Sequence, residues 1–191
     1  MVYAAIKHCP SLGGTLSATP VTPVTPAGAL AVVNLDNAFA VMTHDTWNAI
    51  RLSRQITASW NIPASSKQLT SSVITAKAKS LMASGTPVNA ESVGDVAAGL
   101  ARSKVVVDLT YNLAYVLHAT MEVINATASV TAASCEIWAP TQDQIAATAT
   151  AAALTGLPTS AITVHTTFLG GGLGRKFEVD FIAQAMHVRW R

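Results

Sequence analysis

"AITVHTTFLGGGLGRKFEVDF", residues 161–181, decides how the rest of this chain is read. Its first part is rich in β-branched residues and predicts a strand over Ala161–Phe168. Glycines follow at 170, 171, 172 and 174, then Arg175 and Lys176, then a helical pattern. Glycine admits left-handed backbone angles and lets another group approach the main chain closely. A helix start just downstream offers unpaired N–H groups and a positive dipole end, to which the two cations add charge. These features suit an anionic cofactor. They also suit a tight turn packed on a neighbouring element, and spacing alone leaves both readings open.

Two common nucleotide cradles are excluded. A dinucleotide fingerprint needs Gly-x-Gly-x-x-Gly, but the third glycine falls at Arg175 counting from Gly170, and at Phe177 counting from Gly172. A phosphate-binding P-loop needs Gly-Lys-Ser/Thr, which does not follow.

Working outward, a helix is expected over Glu178–Trp190, with Val179, Ile182 and Met186 on one buried face. Upstream, "TQDQ" (141–144) opens an alanine-rich helix to Thr155, which Gly156 and Pro158 end. "CEIWAP" (135–140) is a short strand, and residues 111–130 read as long and extended. Lys104–Thr110, "KVVVDLT", reads as a strand, preceded by a helix over Val93–Ala101. Ser65 or Ser66 is expected to cap a helix reaching Ser84, which Gly85 and Pro87 stop. "ASWNIP" (58–63) is a strand. Asp45 is placed as the N-cap of a helix over Thr46–Thr57 that buries Trp47, Ile50 and Ile56. Ala29–Leu35 and Phe39–Thr43 are strands about an Asp36-Asn37 turn. Val2–His8 is the first strand, and "TPVTPVTPAG" (19–28) is a Pro-punctuated loop. The result is an α+β chain in two units, 1–114 and 115–191.

Composition bounds the function. Half of the 191 residues are hydrophobic and only 12% are charged, so material for a core is ample. The formal net charge is +2 with no basic run, so nothing suggests nucleic acid. Apolar runs are too short for a membrane span, and the N-terminus lacks the pattern of a secretory signal. Cys9 and Cys135 lie far apart, without metal-ligand spacing, and read as two buried thiols.

"VHTTFLGGGLGRKFEVDF" (164–181), preceded by "EIWAPTQDQIAATATAAALTGLP" (136–158), resembles the molybdopterin-binding subunit of the xanthine dehydrogenase/aldehyde oxidase family. The subgroup it is most similar to is the isoquinoline 1-oxidoreductase beta subunit type. "LAYVLHATMEVINATASV" (113–130) resembles that subgroup's His-Ala-Pro-Met-Glu-Pro segment. Residues 1–114 resemble its α/β hammerhead domain, and 115–191 the start of its molybdopterin-binding domain. The resemblance implies that Gly171, Gly172, Leu173 and Gly174 lie at a molybdenum-pterin cofactor. It also implies that the Gln142 carboxamide donates to an oxygen ligand of the metal, a task suited to a neutral donor beside an anionic centre. Without the resemblance, Gln142 is a helix-start residue. Glu178 is the substrate-side acidic candidate. His118, Glu122 and His165 are read as structural.

The chain departs from the family pattern in places. Leu173 replaces a phenylalanine, and Thr120 and Val123 replace two prolines. The family's C-terminal general-base glutamate and later pterin-holding segments have no counterpart, and the hammerhead lacks its first strand. A partial subunit is therefore expected, taking part in oxidative hydroxylation of an aldehyde or N-heterocycle with water as oxygen source. Its expected partners are a small [2Fe–2S] subunit, and a cytochrome c or the remaining large-subunit portion. The resemblance fits either the bacterial cytoplasm or the periplasm. A non-catalytic remnant or assembly module of the same family is the alternative.

Overall fold

A computed structural model describes residues 1–21 and 26–188. The middle of the Thr-Pro stretch and the last three residues of the chain, including the expected helix end at Trp190, lie outside the described residues. The elements in order are β1 (Tyr3–His8), β2 (Thr15–Val21), β3 (Ala31–Leu35), β4 (Ala38–Thr43), α1 (Thr46–Ser53), β5 (Ala58–Asn61) and α2 (Ala64–Lys67). Then come α3 (Ser71–Ser84), α4 (Val96–Arg102), β6 (Thr127–Val130), β7 (Cys135–Ala139), α5 (Gln144–Thr155), β8 (Ile162–Thr166) and α6 (Asp180–His187). The chain forms two compact units, one of Met1–Lys67 with Leu117–Arg191, the other of Gln68–Val116. Among the described residues no helix is long and apolar enough to cross a membrane.

In the larger unit, β4 is the middle strand of the antiparallel sheet β1-β4-β3. All six of its residues are buried, because its two faces serve two cores. Phe39 and Val41 pack with Leu52 and Ile56 on one side; Ala38, Ala40 and Met42 pack with Leu35 and Val188 on the other. The side-chain period of two divides them in this way. Val188, just past α6, thus completes a core made otherwise of N-terminal residues, and Gln184 of α6 meets His8 of β1 through Nε2 atoms 2.7 Å apart.

Asp45 does cap α1, its carboxylate accepting from the Asn48 amide at 2.8 Å. Trp47 is not on the buried face; it is 67% exposed. The buried stripe is Ala49, Leu52, Ser53 and Ile56, an i, i+3, i+4, i+7 series, and a residue two places before it points about 200° away. The expected helix from Ser65 is two helices: α2 stops at Lys67, and Thr70, accepting from Val73 N at 3.2 Å, caps α3. Ser66 instead donates its hydroxyl to the Leu12 carbonyl at 2.7 Å.

The smaller unit holds α3 and α4, and none of its residues is buried. The strand expected at Lys104–Thr110 is absent, and of the extended run 111–130 only β6 is a strand. A strand exists where a neighbour takes up its N–H and C=O groups, and β propensity in "KVVVDLT" does not supply one.

The C-terminal sheet β6-β7-β8 carries a third core. β6 pairs antiparallel with β7, and β7 pairs parallel with β8 through the crossover helix α5. Cys135, Ile137 and Ala139 of β7 face Ala147 and Ala151 of α5 and Phe181, Ile182 and Met186 of α6. Alanines let α5 lie close to the sheet. Gly156, at φ 73°, ends that helix in the left-handed conformation. Cys9, unlike Cys135, is only half-buried.

Candidate functional site

The parallel pairing of β7 with β8 sets two loops side by side. Its register ends at Ala139 opposite Thr166, so residues 140–143 and residues 167–174 leave adjacent carboxyl ends of the sheet. Ligands of open α/β sheets sit in that position. The loops are tied together: the Thr167 amide donates to Ala139 O at 3.2 Å, and the Gln142 amide to Lys176 O at 2.9 Å. The buried Thr141 hydroxyl donates to the same Lys176 carbonyl at 3.3 Å.

The glycines have separate reasons to be glycine. Gly170, Gly171 and Gly174 hold φ of 54°, 93° and 88°, angles that side chains rarely adopt. Gly172 lacks that constraint and is required by space instead. A Cβ there would lie 2.4 Å from Gln142 Oε1, 2.7 Å from its Cδ and 2.8 Å from Leu169 Cδ2. At Gly170 a Cβ would lie 2.3 Å from Glu122 Cβ. Leu173, 69% exposed, keeps φ at 52° despite its side chain, a strain of roughly 1–2 kcal/mol.

The loop is held by its carbonyls. Gly170 O accepts from the Glu122 amide at 3.0 Å, Gly172 O from Arg175 N at 2.9 Å, and Gly174 O from Phe177 N at 3.2 Å. The amides of Gly171, Gly172, Leu173 and Gly174 donate no hydrogen bond among the described residues. Four consecutive main-chain donors therefore lie in one loop, and the Gln142 carboxamide packs against it at Gly172.

Neither adjacent cation is left to face a ligand, contrary to expectation. Lys176 is fully buried, and its ammonium donates to Glu122 Oε2 at 2.6 Å and to the Leu169 carbonyl. Arg175 forks onto both Asp180 oxygens at 2.8 Å each. The Lys176 ammonium holds the Glu122 carboxyl below its ordinary range. Burial acts to raise Asp180, but the Arg175 fork outweighs it and leaves that carboxyl lowered. Proximity in sequence suggested free charge; ion-pair partners at positions 122 and 180 neutralise it.

Glu178 does not open the last helix. A short 3-10 turn at Arg175–Phe177 precedes it, Glu178 is extended at φ −68°, and α6 begins at Asp180. Its exposed carboxylate accepts no hydrogen bond among the described residues. His118 is exposed too. His165 stands on β8, stacked on Trp138 at 4.8 Å and 3.0 Å from Glu136 Oε2. The buried Lys176 and its pairing with Glu122 had no local signal in the sequence, since 54 residues separate them.

No curated protein matches the chain. The family model of the molybdopterin cofactor-binding domain matches residues 82–189, a span that opens upstream of position 115 and takes in β7, α5, β8, both loops and α6. With more than half of its length matched, and the paired loops inside the match, the chain belongs to the molybdopterin cofactor-binding domain family, and its cofactor is a molybdenum-pterin.

Proposed function

We propose that this chain acts within the large subunit of a molybdenum hydroxylase of the xanthine dehydrogenase/aldehyde oxidase type, nearest the isoquinoline 1-oxidoreductase beta subunits. The observation that carries the reading is the Gln142 carboxamide lying against Gly172, beside four amides that donate to nothing else among the described residues. Neutral donors fit an anionic group rich in oxygen and sulfur acceptors, because hydrogen bonds to charged acceptors are the stronger ones. Glycine at 172 leaves the space that the Gln142 carboxamide and Leu169 occupy.

In this reading Gln142 and Gly171–Gly174 hold the cofactor. Bound there, it supplies a two-electron oxidation in which a substrate C–H becomes C–OH, water provides the oxygen, and two electrons and two protons leave. The chain's own part is orientation. The amides and the carboxamide are neutral donors for it, and the carbonyl ties hold the loop that carries the amides. Glu178 is the carboxylate placed toward an aldehyde or N-heterocycle, residues 1–114 form the hammerhead domain, and electrons pass to a [2Fe–2S] partner subunit.

The test is metal and pterin content of the purified chain, produced alone and together with the small [2Fe–2S] subunit and the remaining large-subunit portion. Molybdenum and pterin near one per chain with the partners, falling at least tenfold in Gln142→Ala, is the expected result. No molybdenum under either condition would overturn the reading in favour of a non-catalytic module.

A further inference from the structure

We infer that Lys176 and Glu122 are positioning residues that clamp the glycine loop in the shape that aims its amides; this rests on the cofactor reading above. The Lys176 ammonium, fully buried, reaches the Leu169 carbonyl and Glu122 Oε2. Leu169 precedes the first glycine and Lys176 follows the last by two positions, so one side chain ties both ends of the loop. Glu122 fastens it from a third segment. Its amide donates to Gly170 O at 3.0 Å, and its Cβ fills the space that Gly170 leaves by lacking one. Thr120 steadies that segment by donating its hydroxyl to Glu122 O at 2.8 Å.

The main chain of Lys176 fixes the other half of the site. Its carbonyl accepts from the Gln142 amide and the Thr141 hydroxyl. One residue thus sets the loop with its side chain and the carboxamide with its backbone. A buried ion pair is a weak device for stability, since well-packed apolar residues often do as well. Its directed hydrogen bonds are what apolar residues cannot replace.

The experiment compares the full chain with Lys176→Met, Lys176→Arg and the double variant Lys176→Met/Glu122→Leu, each produced with the partner subunits. Three readouts are taken: molybdenum and pterin content, thermal unfolding temperature, and amide exchange at Glu122, Gln142, Arg175 and Phe177 in metal-free protein. Lys176→Met is expected to lose at least tenfold in molybdenum and to exchange those four amides at least tenfold faster. Lys176→Arg is expected to recover part of both. The double variant, free of unpaired charge, is expected to unfold within a few degrees of the parent yet stay depleted of molybdenum. Parent-like molybdenum and exchange in the double variant would overturn the proposal, because the pair would then serve stability alone. A parent chain without molybdenum defeats the cofactor reading instead, and exchange in the metal-free variants still judges the clamp.

Discussion

The carboxamide of Gln142 and the α-carbon of Gly172 occupy a space with no room for a methyl group: a Cβ at 172 would sit 2.4 Å from Oε1. At Gly170 the obstruction is Glu122 Cβ at 2.3 Å, and the backbone is left-handed. The two glycines therefore respond differently to alanine. Gly172→Ala displaces the ends of two flexible side chains, Gln142 and Leu169, so stability falls by about 1 kcal/mol while cofactor retention drops sharply. Gly170→Ala meets a stiff neighbour at a disfavoured left-handed angle and loses roughly 2–4 kcal/mol. Urea unfolding of both variants, with molybdenum content measured alongside, separates the two roles.

Gln142→Ala leaves the fold in place. The bond from the Gln142 amide to Lys176 O survives, and the helix cap belongs to Asp143. The side chain is exposed, so unfolding free energy stays within about 0.5 kcal/mol of the parent. Molybdenum content is the quantity that changes, and a parent-like content in this variant contradicts the donor role.

Acid weakens the clamp in a definite direction. The Lys176 ammonium holds Glu122 below the ordinary carboxylate value, so folding disfavours its protonation. Its stabilisation is complete above the unfolded-state value and disappears as pH falls through the lower folded-state value. Glu122→Gln is less stable than the parent near neutrality. The gap narrows as pH falls below the ordinary carboxylate value and closes once the parent carboxyl takes up its proton. Thermal unfolding across a pH series reads this directly, and a gap independent of pH assigns the loss to packing.

Asp143 caps α5 by accepting from the Ala146 amide at 2.8 Å. Removing that acceptor in Asp143→Ala costs about 1 kcal/mol, and Asp143→Asn recovers most of it. Because α5 starts beside Gln142, the alanine variant is also expected to fray the first turn, visible as faster amide exchange at Ala146 and Ala147.

What the sequence by itself determined is whatever neighbouring residues decide among themselves. Asp45 stands ahead of a helical pattern and caps it, and Asp143 opens α5; Gly156 ends α5; Asp36, at φ 38°, turns β3 into β4. The helix expected from Val93 starts instead at Val96, capped by Asp95. The run from a strand into glycines was legible in the same way, as was the resemblance that singled out Gln142. Tertiary structure decided the rest, because it depends on which distant groups meet. "KVVVDLT" has strand composition but finds no ladder, and Trp47 is large but lies off the stripe that packs. Lys176 carries a charge that sequence assigns to solvent or ligand. The fold buries it against a carboxylate 54 positions away. A buried ion needs its counter-charge within hydrogen-bonding distance, and only the folded chain specifies where that partner lies.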